Sequence, residues 1–172
     1  MQSKKRLFLL AGGNIEPRSY YLEQTEKQIR KQIGEIVQYS SVYESEPWGF
    51  KADTAFLNQV FIIDTKLSST DVLKKIHAIE ELMGRKRNGT EYISRTIDID
   101  ILYLEKEITE TEELTVPHPR LHLRKFALLP LSEIAADFIH PVLKKTNDEL
   151  LGQLKDNSKV WKVEGKKSES NV

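Results

Sequence analysis

Residues 95–102 read Arg95-Thr96-Ile97-Asp98-Ile99-Asp100-Ile101-Leu102, and this stretch constrains the chain more than any other. Strict alternation of apolar and charged residues marks a half-buried β-strand. Successive strand side chains alternate faces, so Ile97, Ile99 and Ile101 point one way and Asp98 and Asp100 the other. Two carboxylates at that spacing sit roughly 6–7 Å apart. Asp is depleted in strands, and neighbouring carboxylates repel when both are ionised. A cation between them removes the conflict, and Arg95 just upstream suits an anion. Mg²⁺ typically takes one or two carboxylates plus substrate phosphates, so the pattern suggests a metal-bound polyphosphate. The Asp-x-Asp alone is equally compatible with a strand whose outer face meets water.

The rest of the chain provides a frame for that strand. Residues 7–11 predict a first strand, Gly12-Gly13-Asn14 a turn, and Pro17 the start of a helix carrying Leu22, Ile29 and Ile33 on one face, with Gly34 as its C′ stop. Residues 36–43 read as a second strand, 44–55 as a loop and 56–67 as a third strand. Ser68 and Ser69 open a second helix with Asp71 in its first turn; Val72, Ile76, Ile79 and Met83 recur at helical spacing, and Gly84 ends it. A polar loop over 86–94 leads into the fourth strand, 96–103. The order β-α-β-β-α-β predicts a ferredoxin-like α+β fold, an antiparallel sheet with helices packed on it. Beyond it come a short strand or loop over 106–118, a helix over 126–136 and a last helix from Asn147, a natural N-cap, to Leu154. Residues 1–163 then form a single domain, and 164–172 a polar tail expected to fray.

A length of 172 residues suits one such domain. Lys and Arg number 26, as do Asp and Glu, and a zero net charge disfavours nucleic acid as a partner. The absence of Cys suits a reducing cytoplasm. Lys4-Lys5-Arg6 before Leu7–Ala11 has the outline of a signal-peptide start, but the apolar run is too short, and no segment reaches the ~18 apolar residues of a membrane span.

Basic residues crowd around the Asp pair: Arg85, Lys86, Arg87 and Arg95 before it, His118, Arg120, His122, Arg124 and Lys125 after it. Such runs are more often solvated faces. Here they flank a candidate metal strand, and the planar guanidinium fork matches phosphate oxygens. His118 stands in the stiff Val116-Pro117-His118-Pro119 and is the best functional His. Trp48, Phe50, Tyr92 and Phe126 lie in loops or at element ends, where a flat heterocycle is as plausible a neighbour as a satellite cluster. Asn58 falls inside a strand, where Asn is uncommon, and offers an amide to a heterocycle edge.

These residues match a known pattern. Gly12-Gly13-Asn14, Tyr43 with Pro47 and Gly49, Phe56-Leu57-Asn58, Ile79-Glu80 with Gly84-Arg85 and Arg87, Arg95 to Asp100, and Thr115-Val116-Pro117-His118 occur in the order seen in 6-hydroxymethyl-7,8-dihydropterin pyrophosphokinases of folate biosynthesis. The chain resembles that family from Ala11 to about Pro141. The resemblance implies transfer of pyrophosphate from ATP to the pterin hydroxymethyl group, giving AMP. It implies two Mg²⁺ ions at Asp98 and Asp100, catalytic arginines at Arg85 and Arg95, and ATP contacts from Glu80, Arg87, Ile101, Thr115, His118 and Arg124. It implies a pterin site of Ser45, Pro47, Trp48, Phe56, Asn58, Phe126 and Tyr92, with the ring between Phe56 and Phe126. The partners are then small molecules acted on by a cytoplasmic monomer. The chain departs from the family where Tyr92-Ile93-Ser94 replaces the usual Trp, Gly and Pro. Two rival functions use the same fold. A non-catalytic ligand- or RNA-binding module predicts aromatic and basic groups on the sheet face, where Asp98 and Asp100 stand instead. A metal-dependent phosphodiesterase predicts further ligands at metal spacing, which the sequence does not assemble.

Overall fold

The computed structural model describes residues 3–47, 54–84, 96–164 and 169–170. Strand β1 (Lys5–Gly13) pairs antiparallel with β4 (Phe56–Thr65) on one side and β5 (Asp98–Leu104) on the other. The far side of β4 is shared by β2 (Glu35–Tyr39) and β3 (Tyr43–Ser45). Helices α1 (Arg18–Gln32) and α2 (Ser69–Leu82) follow β1 and β4. The βαββαβ order of the sequence is therefore present, with its second strand split in two.

The split has a visible cause. Ser40 is buried, and its hydroxyl oxygen, rather than a backbone carbonyl, accepts the Val60 N–H at 2.9 Å. The Ser41 amide and hydroxyl both donate to the Glu133 carboxylate, at 2.7 Å each. The Ser40 amide still donates to the Val60 carbonyl at 2.9 Å, but Ser41 turns its amide to Glu133, so the single strand expected over 36–43 becomes β2 and β3. Gly12 and Gly13, expected as a turn, continue β1, with Gly12 opposite both Asn58 and Asp98. A Cβ at Gly12 would lie 2.8 Å from Asn58 Oδ1 and 2.9 Å from the Leu57 carbonyl, so what the position requires is close approach. Gly84 does end α2, in the left-handed region at φ 86.

Both faces of the sheet are covered. Leu7, Leu9, Ala11, Ile97, Ile99 and Ile101 pack against α1 and α2 through Leu22, Ile29, Ile33, Val72, Ile76 and Ile79. Phe8, Leu10, Val60, Ile62 and Leu102 pack on the other face against Ala127, Leu128 and Leu131 of α3 (Lys125–Ala135) and Leu150 of α4 (Asn147–Gly152). The continuous run Leu7-Phe8-Leu9-Leu10 fits a strand buried on both sides. Between Phe8 and Leu9 the register slips, with Phe8 opposite Tyr103 and Leu9 opposite Ile101. Leu102 and Tyr103 both turn to the α3 side as a result, as an extra residue in one strand requires.

A two-stranded ribbon, β6 (Thr109–Glu110) and β7 (Thr115–Val116), precedes a 3₁₀ turn at Leu121–Leu123. The N-cap of α4 is Thr146, whose hydroxyl accepts the Glu149 N–H; the Asn147 expected in that role is fully buried, accepting from Tyr103 Oη at 2.7 Å and donating to the Ala135 carbonyl at 2.8 Å. After α4 the chain returns as β8 (Val160–Lys162) beside β3, and within the stretch read as a tail β9 (Glu169–Ser170) pairs with β2.

Candidate active site

The α3-facing side of the sheet is apolar at one end and polar at the other. Along β1 it runs Phe8, Leu10, Gly12; along β4, Ile62, Val60, Asn58, Phe56; along β5, Leu102, Asp100, Asp98. Helix α3 covers the apolar end and begins where the polar residues start. Gly12, with no side chain, lies between Asn58 and Asp98 and leaves a gap in the sheet surface there.

Asp98 and Asp100 are half-buried on this face, as the alternation predicts. Around Asp100 the structure gathers two of the expected residues. His118 Nε2 lies 4.0 Å from Asp100 Oδ1, and an Arg124 guanidinium nitrogen lies 4.0 Å from Oδ2. Arg124 is only 8% exposed, and a guanidinium that buried needs anionic or hydrogen-bonding company. Its carbon centre stands 5.5 Å from the ring centroid of Phe126, the second residue of α3.

The His118 loop is tied down by its backbone. The His118 amide donates to the Leu102 carbonyl at 3.0 Å, the residue where β5 is offset. His118 Nδ1 accepts the Arg120 N–H at 3.1 Å, which leaves the ring proton on Nε2, the nitrogen facing Asp100. Burial, then the nearby Arg124 charge, pushes the imidazole down to about 4 against the opposing pull of Asp98. His118 is therefore neutral at pH 7, a hydrogen-bond donor rather than a second cation.

At the other end of the polar strip, buried Asn58 donates from Nδ2 to Ser45 Oγ at 2.8 Å. Phe56 and Pro47 are half-buried nearby in sequence, at the start of β4 and after β3. The bond to Ser45 holds the amide in one orientation, with Oδ1 toward Gly12.

Other expected residues lie elsewhere. Glu80 is buried on α2, and its Oε2 accepts the Ile99 N–H at 2.9 Å, capping the outer edge of β5. The Ile101 side chain belongs to the α1/α2 core, so only its backbone is available to a ligand. Thr115 is half-buried in β7 opposite Glu110. Arg85, Arg87, Arg95, Trp48 and Tyr92 lie outside the described residues.

Two carboxylates on one strand face are hard oxygen donors and suit Mg²⁺. Among the described residues no group of three or more acidic, His or Cys side chains is placed to hold a metal. A cation at Asp98 and Asp100 would then complete its coordination with phosphate oxygens and water, as Mg²⁺ commonly does. Sequence reasoning missed Gly12 as the gap in this face, and it missed the half-buried Glu133 that holds Ser41 and, at 3.1 Å, Lys162. Neither has a signal before the strands are paired.

Residues 8–136 match the family model described as 7,8-dihydro-6-hydroxymethylpterin-pyrophosphokinase (HPPK). The chain is 41% identical over 140 residues to a 2-amino-4-hydroxy-6-hydroxymethyldihydropteridine pyrophosphokinase of Aquifex aeolicus, covering 81% of this chain and 86% of the relative. It is 33% identical over 156 residues to the Bacillus subtilis protein of that name, covering 90% and 89%. Among solved structures, the wild-type HPPK-DHPS of Plasmodium falciparum with pteroate is similar in fold, with a TM-score of 0.74 at 16% identity. That match covers 89% of this chain and 45% of the longer Plasmodium chain.

Proposed function

The chain belongs to the 7,8-dihydro-6-hydroxymethylpterin-pyrophosphokinase family, and we propose that the polar end of its sheet is where it transfers pyrophosphate from ATP to 6-hydroxymethyl-7,8-dihydropterin in folate biosynthesis. The observation that carries this assignment of the site is the meeting of Asp98, Asp100, His118 and Arg124 on one face, in line with the Asn58–Ser45 pair. The acidic end suits metal-bound triphosphate and the amide end suits a pterin.

Mg²⁺, two ions in our reading, would be held by Asp98 and Asp100 and would neutralise and orient the phosphate oxygens. Arg124 contributes a fixed positive charge where negative charge builds during transfer. Neutral His118 donates from Nε2 to an oxygen of the nucleotide without adding to the charge. Asn58, held by Ser45, reads the polar edge of the pterin, and Phe56 and Phe126 bracket its ring. Ile101, through its backbone, and Thr115 contact ATP, while Glu80, which the family pattern also gives to ATP, acts on that site from behind by holding the Ile99 amide of β5. Arg85, Arg87, Arg95, Trp48, Pro47 and Tyr92 complete the two sites in the roles that the family pattern gives them.

In the transfer itself the pterin hydroxyl oxygen bonds to the β-phosphorus. The bond from that phosphorus to the oxygen bridging the α-phosphate breaks, AMP leaves with that oxygen, and the hydroxyl proton is released. Positioning supplies much of the rate in such reactions, so the residues above serve mainly to hold the hydroxyl in line. Working on two small molecules, the enzyme is proposed to act as a monomer in the cytoplasm.

The test is product identity. Incubation with ATP, Mg²⁺ and the hydroxymethyl dihydropterin should give AMP and pterin pyrophosphate in equal amounts, and no ATP loss without the pterin. Accumulation of ADP would mean transfer of a single phosphoryl group and would overturn the assignment.

A further inference from the structure

Two of the residues assigned to the site, Arg124 and Phe126, flank Lys125 at the start of α3. That helix has no cap of its own: the Arg124 side chain makes no capping hydrogen bond. The first amide of the helix, Lys125 N–H, donates instead to Asp156 Oδ2 at 3.0 Å, thirty-one residues further on. The other oxygen, Oδ1, accepts the Ser158 N–H at 2.8 Å. The Lys125 ammonium reaches the Ser158 carbonyl at 3.4 Å. Asp156 thus grips the helix and its own strand of chain with one oxygen each.

That strand of chain leads directly to the other wall of the site. Lys159 N–H donates to Glu46 Oε1 at 2.9 Å, and Glu46 N–H to the Lys159 carbonyl at 3.2 Å. Val160 then pairs with Ser45, the residue that orients Asn58. Residues 156–160 join the helix bearing Phe126 to the strand bearing Ser45. A carboxylate at a helix N-terminus is also favoured by the helix dipole.

We propose that Asp156 is a positioning residue for the transfer reaction. By capping Lys125 it sets where α3 begins, and so where Phe126 stands relative to the pterin wall formed by Ser45, Asn58 and Phe56. The inference rests on the reading of Phe126 as a pterin-stacking residue.

The experiment is a double-mutant cycle on the full chain, reading pterin KM at saturating Mg²⁺ and ATP alongside the melting temperature. Asp156→Ala should raise pterin KM about fivefold, the scale of losing a helix cap. In the Phe126→Ala background the same change should raise it less than about twofold, because the group being positioned is gone. Thr146→Ala, which uncaps α4, should lower the melting temperature while leaving pterin KM unchanged. Asp156→Asn keeps an oxygen for the Lys125 N–H, and its KM should fall between wild type and Asp156→Ala. If Asp156→Ala does not fold, Asp156→Asn in the two backgrounds reads the same coupling. Equal effects in both backgrounds, or a fall in melting temperature with unchanged KM, would overturn the positioning role. No effect from Phe126→Ala itself would instead remove the pterin assignment, and the inference with it.

Discussion

Asp100 has His118 and Arg124 each 4.0 Å away. Asp98→Asn and Asp100→Asn keep size and remove charge, and each should lower kcat by at least ~10²-fold, the scale of losing a key electrostatic group. Steady-state assays at several Mg²⁺ concentrations check this, and wild-type activity in either variant would remove that carboxylate from the chemistry. Gly12→Ala tests the gap beside them. Its new Cβ would meet Asn58 Oδ1 at 2.8 Å and backbone oxygen at 2.9 Å, so Asn58 must shift. Overpacking of this kind costs about 1–3 kcal/mol, and pterin binding should weaken more than ATP binding when both are titrated by calorimetry. Equal weakening would mean a general loss of fold. The Asp pair and Asn58 were legible because each breaks a composition rule for strands. Gly12 was not, because its role exists only once Asn58 and Asp98 lie on either side of it.

Among the elements, the connections carry as much information as the helices. Gly34 stands at the expected C′ position of α1, directly after the C-cap Ile33, and its φ is not positive. A Cβ there would collide with the Asp64 carbonyl oxygen, so the glycine lets the chain leave α1 and enter β2 tightly against β4. Gly34→Ala should therefore destabilise the fold by several kcal/mol. It should leave pterin and ATP KM unchanged in the folded fraction, because the clash lies among β4 residues far along the strand from Asn58. Urea unfolding alongside kinetics separates the two, and an unchanged midpoint would show that β2 can relax away. The helix starts at Ser68 and Thr146 and the stop at Gly84 follow local rules of capping, and a sequence reader sees most of these. The break at Ser40–Val42 follows from a partner 92 residues away, Glu133, and the cap of α3 from one 31 residues away, Asp156; both lie beyond any local pattern.

At the scale of the whole molecule, the half-buried His118 and the buried His140 give the fold a pH dependence. His118 is held neutral beside Asp100 and Arg124, its proton on Nε2. His140 is 4% exposed behind α3, and its Nδ1 accepts the Val142 and Leu143 amides at 3.2 and 3.1 Å, an arrangement that stabilises the neutral ring. Burial pushes both down to about 4, with charge on Arg124 adding to the effect at His118 and the His122 side chain adding to it at His140. Unfolded, each would titrate near the ordinary value of about 6.5. Between those limits the unfolded chain binds more protons than the folded one, so stability falls as pH falls. The loss should begin near pH 6.5 and level off near pH 4, at up to roughly 1.4 kcal/mol per pH unit for each histidine. Urea unfolding at pH 7 and pH 5 measures it. His140→Asn should remove about half of the slope and leave the rest to His118, since Asn offers its carbonyl oxygen to the same amides and does not titrate. Stability unchanged between pH 7 and pH 5 would mean that both rings take up protons in the folded state. The neutral Nε2 donor assigned to His118 would then be wrong, and the site would carry an added positive charge at the phosphates.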